Sequence, residues 1–378
     1  MKKYQSFDLT YVTVDSLSEG VGSSQITPLI SRLSKSGLKI NLISFEKSKP
    51  GRQLIDYFET IGVDWNFRNF GSIGAAGGAN RLNCLRQEIR KTNLIHARSD
   101  IPAVAAIYSN EGPVLWDVRS LWADQKIMIQ DNLVNKAMYK VYRGLESIAA
   151  SKSDGMSTLT SAIVPILEQR NNYLPQLRTV VPTAVDLDRF KLNPTMPVEI
   201  RALFSGTYNQ YYDLALSAQF MEEFRKQVPS EAHWARPAES VRSQIGVGES
   251  KVFASSQVGM SELIPRYSFG VSVCKLHAGP SLSAAMPTKI AEFLACGRPV
   301  VVNKGLGDMD PFIEEFDAGV ILDGTSSNLI EGAKKLASLL SDRDTPIRCR
   351  ALAEKYFSAD VGASKYLELY SKISKLKP

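Results

Sequence analysis

Thirteen short apolar runs, many of them rich in β-branched residues, alternate along this chain with longer segments of helical period. That alternation predicts βαβ units and parallel sheets, because strands that pair in parallel need a crossover long enough to hold a helix. The first series of predicted strands covers residues 9–14, 40–45, 63–67, 93–96, 114–117, 155–158 and 179–181. The rhythm fails between Pro182 and Pro197, then restarts at 202–204, 232–235, 251–254, 269–273, 299–302 and 319–322. Two or three helices close the chain from about 326 to 375. With 378 residues, the chain is larger than one hydrophobic core usually supports, so the break predicts two α/β domains.

Composition excludes several classes. The chain is 44% hydrophobic and 22% charged, an ordinary soluble balance without low complexity. Its apolar runs are interrupted far short of a bilayer span. Lys2 and Lys3 precede a segment broken by Asp8 and Thr10, which is expected to be the first strand and not a signal sequence. A cytoplasmic location is expected. Cys84, Cys274, Cys296 and Cys349 form no C-x-x-C pair and stand beside no histidine at ligand spacing, so they are expected to be reduced structural thiols. A net charge of +6 favours anionic partners. No basic tract with interleaved aromatics points to nucleic acid.

In the helix predicted from about 133 to 151, Leu133, Ala137, Val141, Leu145 and Ile148 form a stripe expected to face the sheet. Lys136, Lys140 and Arg143 share another face, which Lys152 extends. They form either a solvated basic face or a contact with the anionic inner leaflet of the membrane.

The most informative segment is 287–303, PTKIAEFLACGRPVVVN. It predicts a helix opened by Pro287 and ended by Gly297, then a buried strand. Lys289 and Glu292 fall on one face near the helix N-terminus, where free N–H groups and the helix dipole suit a phosphate and the carboxylate can accept ribose hydroxyls. The alternative is an exposed Lys–Glu pair worth tenths of a kcal/mol.

This segment resembles the P-x-K-x-x-E-x-x-A-x-G-x-P-V-V signature of the retaining glycosyltransferases of family four, in which the glutamate binds the nucleotide ribose. Residues 181–190, VPTAVDLDRF, are similar to that family's interdomain linker, with Thr183 and Ala184 in place of Asn and Gly. Residues 19–25 (EGVGSSQ), 96–99 (HARS), 205–209 (SGTYN) and a last helix at 364–376 complete the ordered set. The resemblance implies a GT-B architecture: two Rossmann-like parallel-sheet domains, 1–182 for the acceptor and 183–360 for the donor, facing a central cleft. A terminal helix, 361–378, would cross back to the first domain. It also implies a retaining hexosyltransferase in surface polysaccharide or glycan assembly, with a nucleotide-sugar donor, expected to be a UDP-sugar, and a saccharide or lipid-linked acceptor. No metal or other cofactor is expected.

In that context Gly20, Gly22 and Ser23 after the first strand are expected to border the donor, although in isolation the pattern is also that of a plain turn. It lacks the third glycine of a dinucleotide fingerprint, and Glu46 is poorly placed for a ribose. Gly206, Lys275, His277 and Ser281 are the other expected donor contacts. His96, Asp117 and Arg119, at predicted strand ends, are expected to handle sugar and acceptor, with Trp122, Asp124 and Gln125 nearby. The alternatives are a structural histidine and a plain Asp–Arg salt bridge.

Two departures stand out. Ala284 occupies the position of the family's first glutamate, and Thr207 to Gln210 replace its usual basic pair. Lys275 and Lys289, then Arg236 or Arg242, are the expected substitutes for neutralising phosphate. Asp308 and Asp310 form a D-x-D in a Gly-flanked loop, which predicts a turn and not a metal site. A nucleotide-sugar epimerase and a non-catalytic nucleotide-binding scaffold are the alternative functions.

Overall fold

The computed structural model describes residues 7–129, 132–206, 211–236, 251–255 and 259–375. Thr207 to Gln210 and Arg242 lie outside the described residues. The chain divides into two compact units, one comprising Met1–Pro182 with Gly362–Pro378 and the other Thr183–Val361.

In the first unit, strands β1 (Leu9–Val12), β2 (Ile40–Glu46), β3 (Val63–Asn69), β4 (Ile95–Arg98), β5 (Val114–Val118), β6 (Gly155–Thr158) and β7 (Arg178–Val180) form one parallel sheet, ordered β3-β2-β1-β4-β5-β6-β7. The second unit holds β8 (Arg201–Ser205), β9 (Glu231–Arg236), β10 (Lys251–Ala254), β11 (Phe269–Ser272), β12 (Val300–Asn303) and β13 (Gly319–Leu322), ordered β10-β9-β8-β11-β12-β13. Each sheet reverses its strand order once, between β1 and β4 and between β8 and β11. The crevice beyond the carboxyl ends of strands at such a reversal is where doubly wound sheets bind ligands. All thirteen predicted strands are present, and both units are Rossmann-like.

Burial on both faces explains why most of these strands, though not β3 and β7, were visible as nearly continuous apolar runs. In the first unit Leu9, Tyr11, Ile40, Leu42 and Leu115 pack with Tyr366, Leu369, Tyr370 and Ile373 of the last helix, Ala359–Ser374. That helix begins earlier than the predicted 364, directly after a π-type turn at Ala353–Phe357. In the second unit Phe204, Phe220, Phe224, Trp234, Phe269 and Val301 form the centre of the core. Helix starts follow local chemistry: Asp213 Oδ1 accepts from the Leu216 N–H at 2.9 Å, and Asn132 Oδ1 from the Asn135 N–H at 2.8 Å.

One expectation fails. The Leu133–Lys152 helix buries Glu146, Ala149 and Ala150, while Leu133, Ala137 and Val141 are exposed and Leu145 and Ile148 only half-buried. The predicted stripe therefore does not face the sheet. The helix packs instead against its neighbours Asp100–Ser109 and Trp122–Ile129, and its buried side carries Ala149, Ala150 and the Glu146 carboxylate.

Close approach fixes the second unit's signature helix, Thr288–Ala295, on its sheet: a Cβ built on Gly270 would fall 2.2 Å from the buried Phe293 ring. Gly270→Ala should therefore destabilise the fold by about 1–3 kcal/mol, seen as a lower urea midpoint. An unchanged midpoint would show that the ring yields freely.

Candidate functional site

In the second unit the residues predicted to grip a donor gather beyond β8 and β11. Thr288–Ala295 begins at Pro287, which precedes its first turn in extended backbone. Lys289 Nζ donates to the Ser205 carbonyl at 2.6 Å and lies 4.1 Å from the centroid of the Tyr212 ring. A Cβ on Gly206 would stand 3.3 Å from that ammonium, and the φ of +91° at Gly206 is itself a glycine conformation. Gly206 thus admits Lys289 to the strand end. Thr183, where the family pattern has Asn, places its hydroxyl 3.3 Å from that of Thr288, so the linker still reaches the start of the helix.

Glu292 is 7% exposed, and its side-chain carboxylate accepts no hydrogen bond from the described residues. Burial raises its carboxyl to about 7, against the opposing pull of Arg189 and then Lys289. A near-buried carboxylate with unused acceptor capacity is costly unless a ligand completes it. Arg189 carried no assignment from the sequence, although it lies inside the linker motif. Tyr212 was likewise missed, since nothing local marks it as the platform under Lys289.

The 275–284 segment presents Lys275 and His277 on the surface, Ser281 buried with an unpartnered Oγ, and Ala284 buried. Arg236 is buried beside Trp234, its guanidinium carbon 5.7 Å from the ring centroid. Asp310 accepts from the Gly305 N–H through both oxygens, at 3.2 and 2.9 Å, which closes the predicted turn. Among the described residues no group of three His, Cys, Asp or Glu side chains could hold a metal ion.

In the first unit, β4 and β5 end side by side, with Arg98 paired to Asp117 in register. Asp117 and His96 are fully buried. Asp117 Oδ1 accepts from Ser157 at 2.9 Å and Tyr366 at 3.1 Å, and lies 3.6 Å from Arg119; Oδ2 lies 3.7 Å from Arg98. Burial would raise this carboxyl, but Arg119, His96 and Arg98 outweigh it and hold Asp117 well below the usual carboxylate range. His96 Nε2 is 3.3 Å from Asp117 Oδ2, at a poor angle, and Nδ1 shares a 2.6 Å hydrogen bond with Tyr370. Burial lowers the His96 pKa, leaving the ring neutral. The carboxylate favours the proton on Nε2, so Nδ1 accepts from Tyr370.

Arg119 is the most accessible of these three expected site residues, at 10% side-chain exposure; it donates to the Val181 carbonyl at 3.1 Å and to Gln25 at 3.2 Å. Arg98 joins it on Gln25 at 2.9 Å and binds Asp15 at 2.9 Å. Nearby, Trp122 donates to Ser99 at 3.1 Å, and Asp124 takes both arms of Arg170 at 2.6 Å each. The Asp124 carboxylate is therefore occupied inside the protein.

The β1 loop has a clear local cause. Glu46 accepts from Ser16 at 2.6 Å, from the Leu17 N–H at 2.9 Å and from the Ser18 N–H at 3.2 Å, so it builds the loop. Gly22 is required because a Cβ would strike the Ser16 carbonyl at 2.0 Å. Gly20 has φ +56° and is exposed, and Ser23 is half-buried at the opening of a π-type turn, Gly22–Ile26.

No protein-family model matches the sequence, and neither does the sequence of any curated protein. Solved structures do match across the whole chain. A sucrose-phosphate synthase from Thermosynechococcus elongatus superposes with a TM-score of 0.71 at 11% identity, covering 98% of this chain and 99% of its own. The Anabaena protein HepE, in complex with UDP and glucose, gives 0.65 at 14% identity, covering 97% and 99%. A glycosyltransferase from Rickettsia africae gives 0.66 at 14%, covering 99% and 100%. The fold is GT-B.

Tyr370→Phe would strand the buried His96 Nδ1. It should cost about 1–3 kcal/mol, measured by denaturant unfolding of the whole chain; a cost near zero would mean that the ring has another partner.

Proposed function

We propose that this chain is a glycosyltransferase that moves a hexose-type sugar from a UDP-sugar to a saccharide or lipid-linked acceptor, with retention at the anomeric carbon. The observation that carries the reading is Glu292: a near-buried carboxylate, unsatisfied from within, one helical turn from an anchored lysine and beyond the carboxyl ends of a doubly wound sheet. A ribose diol offers the two donors that this carboxylate lacks. Fold likeness to HepE with UDP and glucose, and to a sucrose-phosphate synthase, supports a transferase over an epimerase or a scaffold. The ordered resemblance to the family-four motifs supports retention.

In this reading Lys289 and Lys275, with the Thr288–Ala295 helix N-terminus, neutralise the diphosphate as the bond to the sugar breaks, so that no metal is needed. His277 and the unpartnered Ser281 hydroxyl serve the sugar in place of the glutamate absent at Ala284, and Gly20, Gly22 and Ser23 border the donor. The leaving phosphate accepts the proton of the acceptor hydroxyl as that oxygen bonds to the anomeric carbon on the same face. Arg119 meets substrate, while His96 and Asp117 position it and Arg98. Work on lipid-linked acceptors at the cytoplasmic face of a membrane, in surface polysaccharide assembly, would suit the basic helix Leu133–Lys152.

Incubation with a panel of nucleotide sugars should show binding and slow hydrolysis of a uridine donor, with the released sugar initially in the donor's anomeric form by NMR. Glu292→Ala should weaken donor binding by about 10- to 100-fold, the loss of charge-assisted hydrogen bonds. If no nucleotide sugar binds, or the alanine variant binds unchanged, the proposal fails.

Protonation gives an independent check. UDP-glucose keeps its diphosphate ionised through the neutral range, whereas Glu292 gains a proton as pH falls through about 7. The ionised carboxylate is the better acceptor, so calorimetric affinity should drop about tenfold between pH 8 and pH 6, and Glu292→Gln should flatten the profile. A profile that rises toward low pH would contradict the assignment.

A further inference from the structure

We infer that the first half of the Leu133–Lys152 helix is a docking surface for anionic lipid headgroups. Leu133 is 85% exposed, Val134 71% and Val141 54%, and Ala137 is exposed between them. At 3.6 residues per turn these four side chains fall within an arc of about 100°. Lys136 and Lys140, both exposed, flank that arc on one side. The opposite side, with Glu146, Ala149 and Ala150, is the buried one.

The charges on this helix are one-sided. Its single carboxylate, Glu146, is turned inward onto Arg143 and the Asn171 amide, the latter at 3.0 Å. Among the described residues of this helix, the outward side therefore carries lysines and no carboxylate. At the far end Lys152 lies 5.2 Å from the centroid of the Tyr108 ring, itself 50% exposed. Branched apolar side chains in a band, with cations along its edge and an aromatic near its end, match a helix lying in a membrane interface. The apolar groups enter the boundary between headgroups and acyl chains, and the lysine stems reach back to the phosphates. A second copy of the chain would cover the apolar band but, in a two-fold pairing, would set lysines against lysines. Lipid phosphates complement both parts. The inference rests on the proposed transfer to a lipid-linked acceptor for its purpose, and on exposure and charge for its evidence.

Sedimentation with vesicles tests it. The full chain should pellet with phosphatidylcholine vesicles that contain phosphatidylglycerol, not with phosphatidylcholine alone, and added salt should release it. Reversing both lysines, Lys136→Glu with Lys140→Glu, should lower partitioning by at least about 25-fold, since each lysine near an anionic surface contributes about fivefold. Leu133→Ser with Val141→Ser should lower it with the charges intact. Both double variants should keep the wild-type melting temperature and hydrolyse UDP-glucose in solution as before.

The inference is overturned if the wild-type chain ignores anionic vesicles or if both double variants bind like wild type. A dimer in light scattering that Leu133→Ser with Val141→Ser dissolves would assign the face to a second copy instead. Glu292→Ala separates the two readings: it should weaken donor binding by the same factor of about 10 to 100 yet leave vesicle binding intact. Vesicle binding by a wild-type chain that hydrolyses no donor would sink the transferase proposal alone.

Discussion

Asp117 is the charge on which the first unit depends. A fully buried carboxylate is tolerated only when other groups replace the water it has lost, and here those groups come from β4, the end of β5, β6 and the last helix. Removing one partner leaves the charge partly uncompensated. The C-terminal helix is thus held to the strand ends by polar contacts as well as by Leu369 and Ile373 in the core. Arg98 and Arg119, set by Asp117, pass the order outward to Gln25, Asp15 and the loop that follows β1.

Glu292 is the counterpart with the opposite balance. Asp117 is ringed by Arg119, His96 and Arg98, and its pKa is driven down; the Glu292 carboxylate is nearly as buried, accepts no hydrogen bond from the described residues, and burial outweighs the pull of Arg189 and Lys289, so its pKa is driven up. The same physical cost, loss of water around a carboxylate, is met inside the fold in one case and left open in the other. A group left open at the carboxyl end of a doubly wound sheet is where a ligand is expected. That contrast separates positioning from binding more sharply than residue type does, since both are acids near strand or helix ends.

Sequence carried the fold well because parallel strands buried on both faces are short, nearly continuous apolar runs, as in β1, β5 and β12, while the partly exposed β3 and β7 were marked by their place in the alternation. It marked Lys289 and Glu292 as a pair because they lie three apart on one helix, where spacing fixes a shared face. It failed for the Leu133–Lys152 helix. Periodicity there reveals a stripe, but which side meets the protein depends on neighbours, and the buried side proved to be two alanines and a paired glutamate. Gly22 shows a subtler limit: the glycine was visible, whereas its cause, the Ser16 carbonyl, is a contact between backbones that no pattern of residue types records.

His96 shows why the residues expected to handle sugar and acceptor were harder still to read. Its position at a strand end suggested reach toward a ligand, yet its ring meets Tyr11 in the neighbouring strand and shares a hydrogen bond with Tyr370, 274 residues away. A histidine flanked by polar residues looks alike in sequence whether its nitrogens face a cleft or a tyrosine, because the deciding partner enters from the far end of the chain. Local motifs can specify a nucleotide, whose ribose and phosphate are bound within one helical turn. Recognition of a sugar is assembled from loops distant in sequence, so its specificity has to be read from hydrogen-bonding groups that the fold brings together and leaves unpaired.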